Sequence, residues 1–160
     1  MKRFAGRFVK SIGGMSQEQW LFNPEPEVWN ASEITEHLTI ANRGIASRIS
    51  HGLSIIEIGT TSVLDEEIAY LFYRSDEPPQ VSTPSGTWVD LQVAIADFES
   101  SVGSVVSAIS NLDQDPRLLG APHPLFGILD AIQWSLFAAA HVERHRSQVI
   151  GLGYLPSYPH

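Results

Sequence analysis

The sequence predicts an all-α protein, a four-helix bundle with a long crossover connection between its second and third helices. Apolar residues recur at steps of three and four along four separate segments, the spacing that puts them on one face of a helix. Capping signals mark the start of two of these segments. No segment alternates polar and apolar residues over a useful strand length. We therefore expect one helical domain over residues 1–160.

The first two helices are delimited by clear start and stop signals. Residues 1–13 carry apolar side chains at helical spacing, and Gly13-Gly14 ends that segment. Asn30 is a good N-cap for the second helix, with Glu33 in the capping-box position three residues later. The inward stripe of this helix reads Ile34, His37, Leu38, Ala41, Ile45 and Ile49, and His51-Gly52 ends it. His37 is therefore expected in the middle of a buried face.

The crossover covers residues 53–87 and is the least regular part of the chain. It contains a predicted short helix over residues 63–73, followed by Pro78-Pro79 and a Pro84-Ser85-Gly86 turn that cannot be helical. The third helix is predicted to open at Thr87, with Asp90 as its N3 partner. Its seam reads Trp88, Leu91, Ile95, Phe98, Val102, Val105, Ile109 and Leu112.

The last helix is predicted over residues 128–152. Its inward face reads Trp134, Phe137, Ala138, His141, His145, Val149 and Leu152. Two histidines therefore face the interior here, four residues apart on one helix face. Trp134 is interpreted mainly as a packing residue, with a lining role open to it because it lies two turns from His141.

Composition excludes several classes of function. The chain has 18 acidic and 10 basic side chains and a formal charge of -8, so we expect no nucleic-acid partner. It has no cysteine, which excludes a disulfide framework, a thiolate metal site and a cysteine nucleophile of its own. No run of 18 apolar residues occurs, and no signal-peptide core follows the basic N-terminus. We expect a cytoplasmic protein that does not enter a membrane.

The three inward-facing histidines indicate a metal site. His141 and His145 have the spacing that lets two imidazoles share one metal, and His37 faces the same interior from another helix. An unpaired imidazole on a buried face costs about 1–3 kcal/mol. The alternative is three core histidines that are satisfied by hydrogen bonds within the protein.

Two stretches resemble a known family. Trp29-Asn30-Ala31-Ser32-Glu33-Ile34-Thr35-Glu36-His37-Leu38 resembles the W-s-x-x-x-x-x-x-H-L signature of the DinB/YfiT-like family of metal-dependent helical bundles. His123-Pro124-Leu125-Phe126-Gly127 and the segment His141–Val149 resemble that family's p-l-f-G entry and H-x-x-x-H-x-x-Q-I helix. The resemblance spans nearly the whole chain. It implies that His37, His141 and His145 bind a divalent metal, zinc, nickel or iron, and leave other positions to water or substrate.

The resemblance also implies an activity. Members of the family include transferases that use a low-molecular-weight thiol and metal-dependent hydrolases. We therefore expect a metal-dependent transferase or hydrolase that acts on a small electrophile, and the lack of cysteine fits an external thiol. The alternative is a non-catalytic metal- or ligand-binding bundle with a structural role. Because the first helix is short, a homodimer is expected in either case.

Several other polar residues have both a functional and a structural interpretation. Glu33 is a candidate for orienting a ligand or acting as a general base, and the capping box is its competing role. Gln148 is a candidate for a hydrogen bond within the site. Glu143 is predicted to lie on a solvated face. The other three histidines are predicted to be ordinary surface residues and not ligands: His51, His123 and His160.

Overall fold

The computed structural model describes residues 1–70, 83–88 and 90–160, and these residues are mostly helical. The helices are α1 (Lys2–Ile12), α2 (Gln17–Trp20), α3 (Ala31–His51), α4 (Asp65–Ala69), α5 (Leu91–Ser110) and α6 (Ala131–Leu152). Three short strands form one sheet: β1 (Ser54–Ile55), β2 (Leu119–His123) and β3 (Gly127–Asp130). The predicted helical class is confirmed.

The long helices bury an apolar interior that consists of two groups of core residues. Helix α3 packs against α5 and α6, and α1 packs against α5 and α6. One group of core residues lies between α1, α3, α5 and α6 and includes Phe8, Leu38, Phe98 and Val142. A second group lies towards the sheet and includes Ile49, Ile68, Val105, Leu129 and Trp134. The inward stripes of α3 and α6 therefore face each other across the core.

The capping residues set where the helices begin. Asn30 and Glu33 form the predicted capping box of α3. The predicted start of the third helix at Thr87 is wrong, since α5 begins at Leu91 with Asp90 as its N-cap. Asp90 Oδ1 accepts hydrogen bonds from the backbone N–H groups of Gln92 and Val93 at 2.8 and 3.0 Å. A carboxylate that satisfies two free N–H groups is a strong reason for a helix to begin there.

The expectation of no strands is also wrong. Strands β2 and β3 form an antiparallel hairpin closed by the pair His123 and Gly127, and β1 pairs with the other edge of β2. Gly127 has a φ of +67°, which a residue without a side chain adopts without strain. Because residues 127–130 pair with β2, the last helix begins at Ala131 and not near residue 128.

The crossover is partly structured. It contains β1 and α4, and α4 confirms part of the helix predicted over residues 63–73. Pro78-Pro79 lies outside the described residues. The Pro84–Gly86 turn is fixed to α3 by the buried carboxylate of Glu36, which accepts hydrogen bonds from Ser85 Oγ and, at 3.0 Å, from the Gly86 N–H.

An ionic network fixes the start of α6. Asp130 is buried and caps the helix, its Oδ1 accepting from the Gln133 N–H at 2.8 Å. Its Oδ2 pairs with Arg117 at 2.9 Å, and Arg117 also pairs with Asp65 of α4 at 2.7 Å. The hydrogen bond with Arg117 lowers the pKa of the Asp65 carboxyl. The network therefore joins the hairpin, α4 and the helix that carries two of the three inward histidines.

We expect Asp130→Ala to lower the free energy of unfolding by about 2 kcal/mol, because it removes both a helix cap and the buried partner of Arg117. Asp130→Asn keeps the capping oxygen and should lose about half as much. Urea unfolding followed by circular dichroism measures both values. Equal losses in the two variants would mean that capping contributes nothing here.

Helix α5 has the length and composition of a membrane span, with a mean hydropathy of 1.3 over its apolar window. One face of it is buried against the rest of the protein, and Asp97 on it pairs with Arg43 of α3 at 3.3 Å. A helix with one buried face and a charged residue paired to its neighbour is typical of a protein core.

Candidate metal centre

Three histidines converge between α3 and α6. His141 Nε2 lies 3.1 Å from His37 Nε2 and 3.0 Å from His145 Nε2. Three nitrogens bound tetrahedrally to one zinc ion at about 2.0–2.1 Å lie roughly 3.3 Å apart, so these two distances are close to those that a metal requires. The group can hold a metal ion. The structure thus brings together the three residues singled out in the sequence.

Gln148 determines which nitrogen of His145 is free. Its Oε1 lies 2.6 Å from His145 Nδ1, and an amide oxygen only accepts, so Nδ1 carries the proton. In a neutral imidazole, His145 Nε2 then carries an unprotonated lone pair, and this nitrogen lies 3.0 Å from His141 Nε2. This is the arrangement in which a second residue orients a metal ligand.

The ring of His141 is held by packing. It stacks on Phe137 with an interplanar angle of 13° and a centroid distance of 5.6 Å. Its Nδ1 is buried and has no hydrogen-bond partner among the described residues. A single proton on His141 Nε2 can bond only one of its two neighbours at a time, whereas a cation engages all three nitrogens. The donor set therefore fits a metal better than it fits a closed hydrogen-bond network.

The surroundings keep the rings neutral. Burial, reinforced by the neighbouring His37, lowers the pKa of His145 to about 3. Burial and the two other site histidines hold the pKa of His141 well below its ordinary value. The positive charge of Arg144 acts in the same direction on both rings. Because a metal binds the unprotonated imidazole, both rings are ready as ligands at neutral pH.

The histidines open onto a cavity of about 690 Å³. Most of its wall is apolar. Trp29 is one of the residues that line it, and its ring packs on His37 with ring centroids 4.9 Å apart. Three charged residues also line it: Glu27, Arg48 and Arg144. A cavity of this size and composition is typical of a small-molecule site.

The family model of the DinB superfamily matches residues 1–149. The chain belongs to the DinB superfamily. It is 22% identical over 138 residues to the uncharacterized protein YuaE of Bacillus subtilis strain 168, covering 86% of this chain and 85% of that protein. No solved structure gives a significant match.

The other residues that the sequence of this DinB superfamily protein suggested have different positions relative to the cavity. Glu33 Oε2 accepts hydrogen bonds from the Asn30 N–H at 2.9 Å and from Asn23 Nδ2 at 3.0 Å, and it does not line the cavity. Gln148 both lines the cavity and bonds a site histidine. Trp134 is both buried and a lining residue. His51 and His160 are exposed, as predicted.

Two predictions about polar residues are wrong. The Glu143 side chain is only 12% exposed, because it pairs with Arg7 of α1 at 2.9 Å and with Arg146 at 2.6 Å. A neighbouring helix covers a position that helix geometry alone assigned to solvent. His123 is buried, not on the surface, because the hairpin turns it into the same cavity as the three histidines.

Arg144 is a site residue that the sequence argument missed. It is buried and lines the cavity. A signal for it existed, since Phe137, His141, Arg144 and Gln148 recur at steps of four, three and four, which is one helix face. From the sequence alone, Arg144 only flanks the two histidines, because the cavity that it lines is formed by several elements of the fold.

We expect Gln148→Leu to weaken metal binding by about 10- to 100-fold, the usual effect of removing the partner that orients a metal-bound histidine. Gln148→Glu keeps an acceptor for His145 Nδ1 and should bind at least as tightly as the wild type. Competition with a chromophoric chelator measures both affinities. Wild-type affinity in Gln148→Leu would show that packing alone orients His145.

Proposed function

We propose that this protein is a metal-dependent enzyme that acts on a small, largely apolar electrophile, either by transfer to a low-molecular-weight thiol or by hydrolysis. His37, His141 and His145 would hold the metal, which is zinc, nickel or iron on the chemistry of imidazole ligands. When bound, such a metal lowers the pKa of a coordinated water or thiol and supplies a nucleophile at neutral pH.

The observation that carries the proposal is the opening of the three-histidine group onto the cavity. A structural zinc site is closed by four protein ligands, whereas a catalytic site has three and leaves a position for water or substrate. Among residues 1–70, 83–88 and 90–160, the group consists of three imidazoles, and it adjoins a cavity of about 690 Å³. This arrangement favours the enzyme over a purely structural role.

The chain's own residues prepare the site in three ways. Gln148 holds the His145 proton on Nδ1, which directs the Nε2 lone pair inwards. Phe137 stacks on His141 and Trp29 packs on His37, and these contacts hold the planes of the two imidazole rings. The buried guanidinium of Arg144 places positive charge beside the group and would favour an anionic nucleophile or leaving group there.

The partners follow from this proposal. The substrate is a small molecule, and a thiol, if used, comes from outside because the chain has no cysteine. We further propose a cytoplasmic homodimer without a nucleic-acid or membrane partner. The mass in solution at micromolar concentration tests the dimer, and a monomeric mass would contradict it.

The metal is tested on protein purified without a histidine tag. We expect one equivalent of zinc, nickel or iron by elemental analysis in the wild type and none in His141→Ala. His51→Ala removes an exposed histidine at the end of α3 and is the matched control, which should keep the metal. A wild-type protein that takes up none of the three metals would overturn the proposal.

The nucleophile is tested on the loaded protein. We expect turnover of 1-chloro-2,4-dinitrobenzene with added thiol, or of 4-nitrophenyl acetate without it, that disappears in His141→Ala. The cobalt-substituted protein should also change its visible spectrum when thiol is added. An unchanged spectrum would indicate a closed coordination shell and would favour the non-catalytic role.

A further inference from the structure

His123 is a buried polar residue that faces the cavity but does not belong to the three-histidine group. It ends β2 and is only 6% exposed. Its ring stacks on Phe126 at a centroid distance of 5.0 Å and contacts Phe137 at 4.4 Å and Trp134 at 4.9 Å. Three aromatic contacts and the hairpin pair with Gly127 fix both the position and the plane of this ring.

The proton of His123 is also fixed. The backbone N–H of Leu125 donates to His123 Nδ1 at 3.1 Å, so Nδ1 is the acceptor and Nε2 carries the proton in the neutral ring. Burial lowers the pKa of His123 to about 4, which keeps the ring neutral under ordinary conditions. No described residue accepts a hydrogen bond from this Nε2–H. This N–H is not among the fully buried side-chain atoms that lack a partner, and His123 lines the cavity, so a molecule bound there can supply the acceptor.

Phe137 connects His123 to the candidate metal centre. Its ring contacts the His123 ring at a centroid distance of 4.4 Å and stacks on the His141 ring at 5.6 Å. A molecule that lies in the cavity against Phe137 is therefore close to both a neutral hydrogen-bond donor and the three-histidine group. Most of the remaining wall is apolar.

We propose that His123 Nε2–H hydrogen-bonds a neutral oxygen acceptor, such as a carbonyl, on an apolar small molecule bound in this cavity. The inference rests on the proposed function only for calling that molecule a substrate. It narrows the substrate class to small, mainly apolar compounds with a carbonyl-type oxygen. His123 would then select substrates through a contact that the metal does not supply.

The first test compares two probes that differ in one group. Acetophenone has a carbonyl, and α-methylstyrene has a methylene in its place. We measure the ratio of their dissociation constants on the metal-loaded protein by ligand-observed NMR, for the wild type, His123→Phe and His123→Gln. Phenylalanine keeps the aromatic shape without a donor, and glutamine can place an amide donor near the Nε2 position.

We expect the preference for acetophenone to fall about fivefold in His123→Phe, in line with one net hydrogen bond, and to be largely restored in His123→Gln. An unchanged ratio in His123→Phe would overturn the proposal, since the carbonyl would then bind elsewhere, the metal included. Metal content is measured in each variant. A wild type that binds no metal would overturn the proposed function, and the same ratio would then be measured on the metal-free protein, where it still tests His123.

The second test needs no variant and so does not depend on whether one folds. The ¹⁵N shifts of the His123 ring in the wild-type protein should show a proton on Nε2, and acetophenone should slow its exchange with water while α-methylstyrene does not. A proton on Nδ1, or equal exchange with both probes, would overturn the proposal.

Discussion

The His141→Leu protein is expected to lose all stabilisation by metal. A ligand present at about 1,000 times its dissociation constant raises the free energy of unfolding by about 4 kcal/mol, and we expect zinc or nickel to do this for the wild type. The variant lacks the imidazole whose Nε2 lies 3.0–3.1 Å from both other site nitrogens, so only two of the three nitrogens of this group are left. Urea unfolding with and without metal measures the difference.

Without metal, His141→Leu and the wild type should lie within about 1 kcal/mol of each other. The variant loses two contacts between ring nitrogens, but it also removes a buried Nδ1 that has no partner in the described part of the chain. His51→Leu is the control and should keep the full response to metal. Metal that stabilises His141→Leu as much as the wild type would mean that the ion binds elsewhere.

The second large effect is a loss of stability in mild acid when the protein is metal-free. The pKa values of His123 and His145 are about 4 and 3 in the folded protein, both below the ordinary value of about 6.5. Between pH 6.5 and 5 the unfolded chain therefore binds protons that the folded protein does not bind. The contribution of these two histidines to the free energy of unfolding has its full value above about pH 6.5 and is lost progressively as the pH is lowered.

Two such histidines lower the free energy of unfolding by roughly 3 kcal/mol between pH 6.5 and 5, and His141 adds to this in the same direction. Urea unfolding in a chelator at pH 7, 6 and 5 measures the slope. His123→Phe should remove about half of the loss of unfolding free energy that His123 and His145 cause together, because one of the two titrating groups is gone. A stability that does not change over this range would contradict the neutral, buried state of these rings.

Helix starts and helix faces can be predicted because they depend on residues that are close together in the sequence. The capping box of Asn30 and Glu33 needs only residues three apart, so the start of α3 can be predicted from the sequence. The placement of His37, His141 and His145 on inward faces likewise follows from helical periodicity. These histidines lie on long helices, and long periodic segments are the part of a fold that sequence patterns describe best.

The hairpin could not be predicted in the same way. Its strands have five and four residues and contain Gly120, Pro122 and Gly127, which read as turn residues. What stabilises them is pairing with each other and with Ser54–Ile55, more than 60 residues earlier in the chain. A pattern within a short window contains no information about such pairing.

The helical class and the three inward histidines can be predicted from the sequence, because both depend on helical periodicity and on the burial of apolar faces. The surroundings of these histidines depend on the tertiary structure. It turned His123 and Arg144 towards the cavity and covered Glu143 with α1. These outcomes depend on elements far apart in the chain, and the free energy that fixes them comes from packing between those elements.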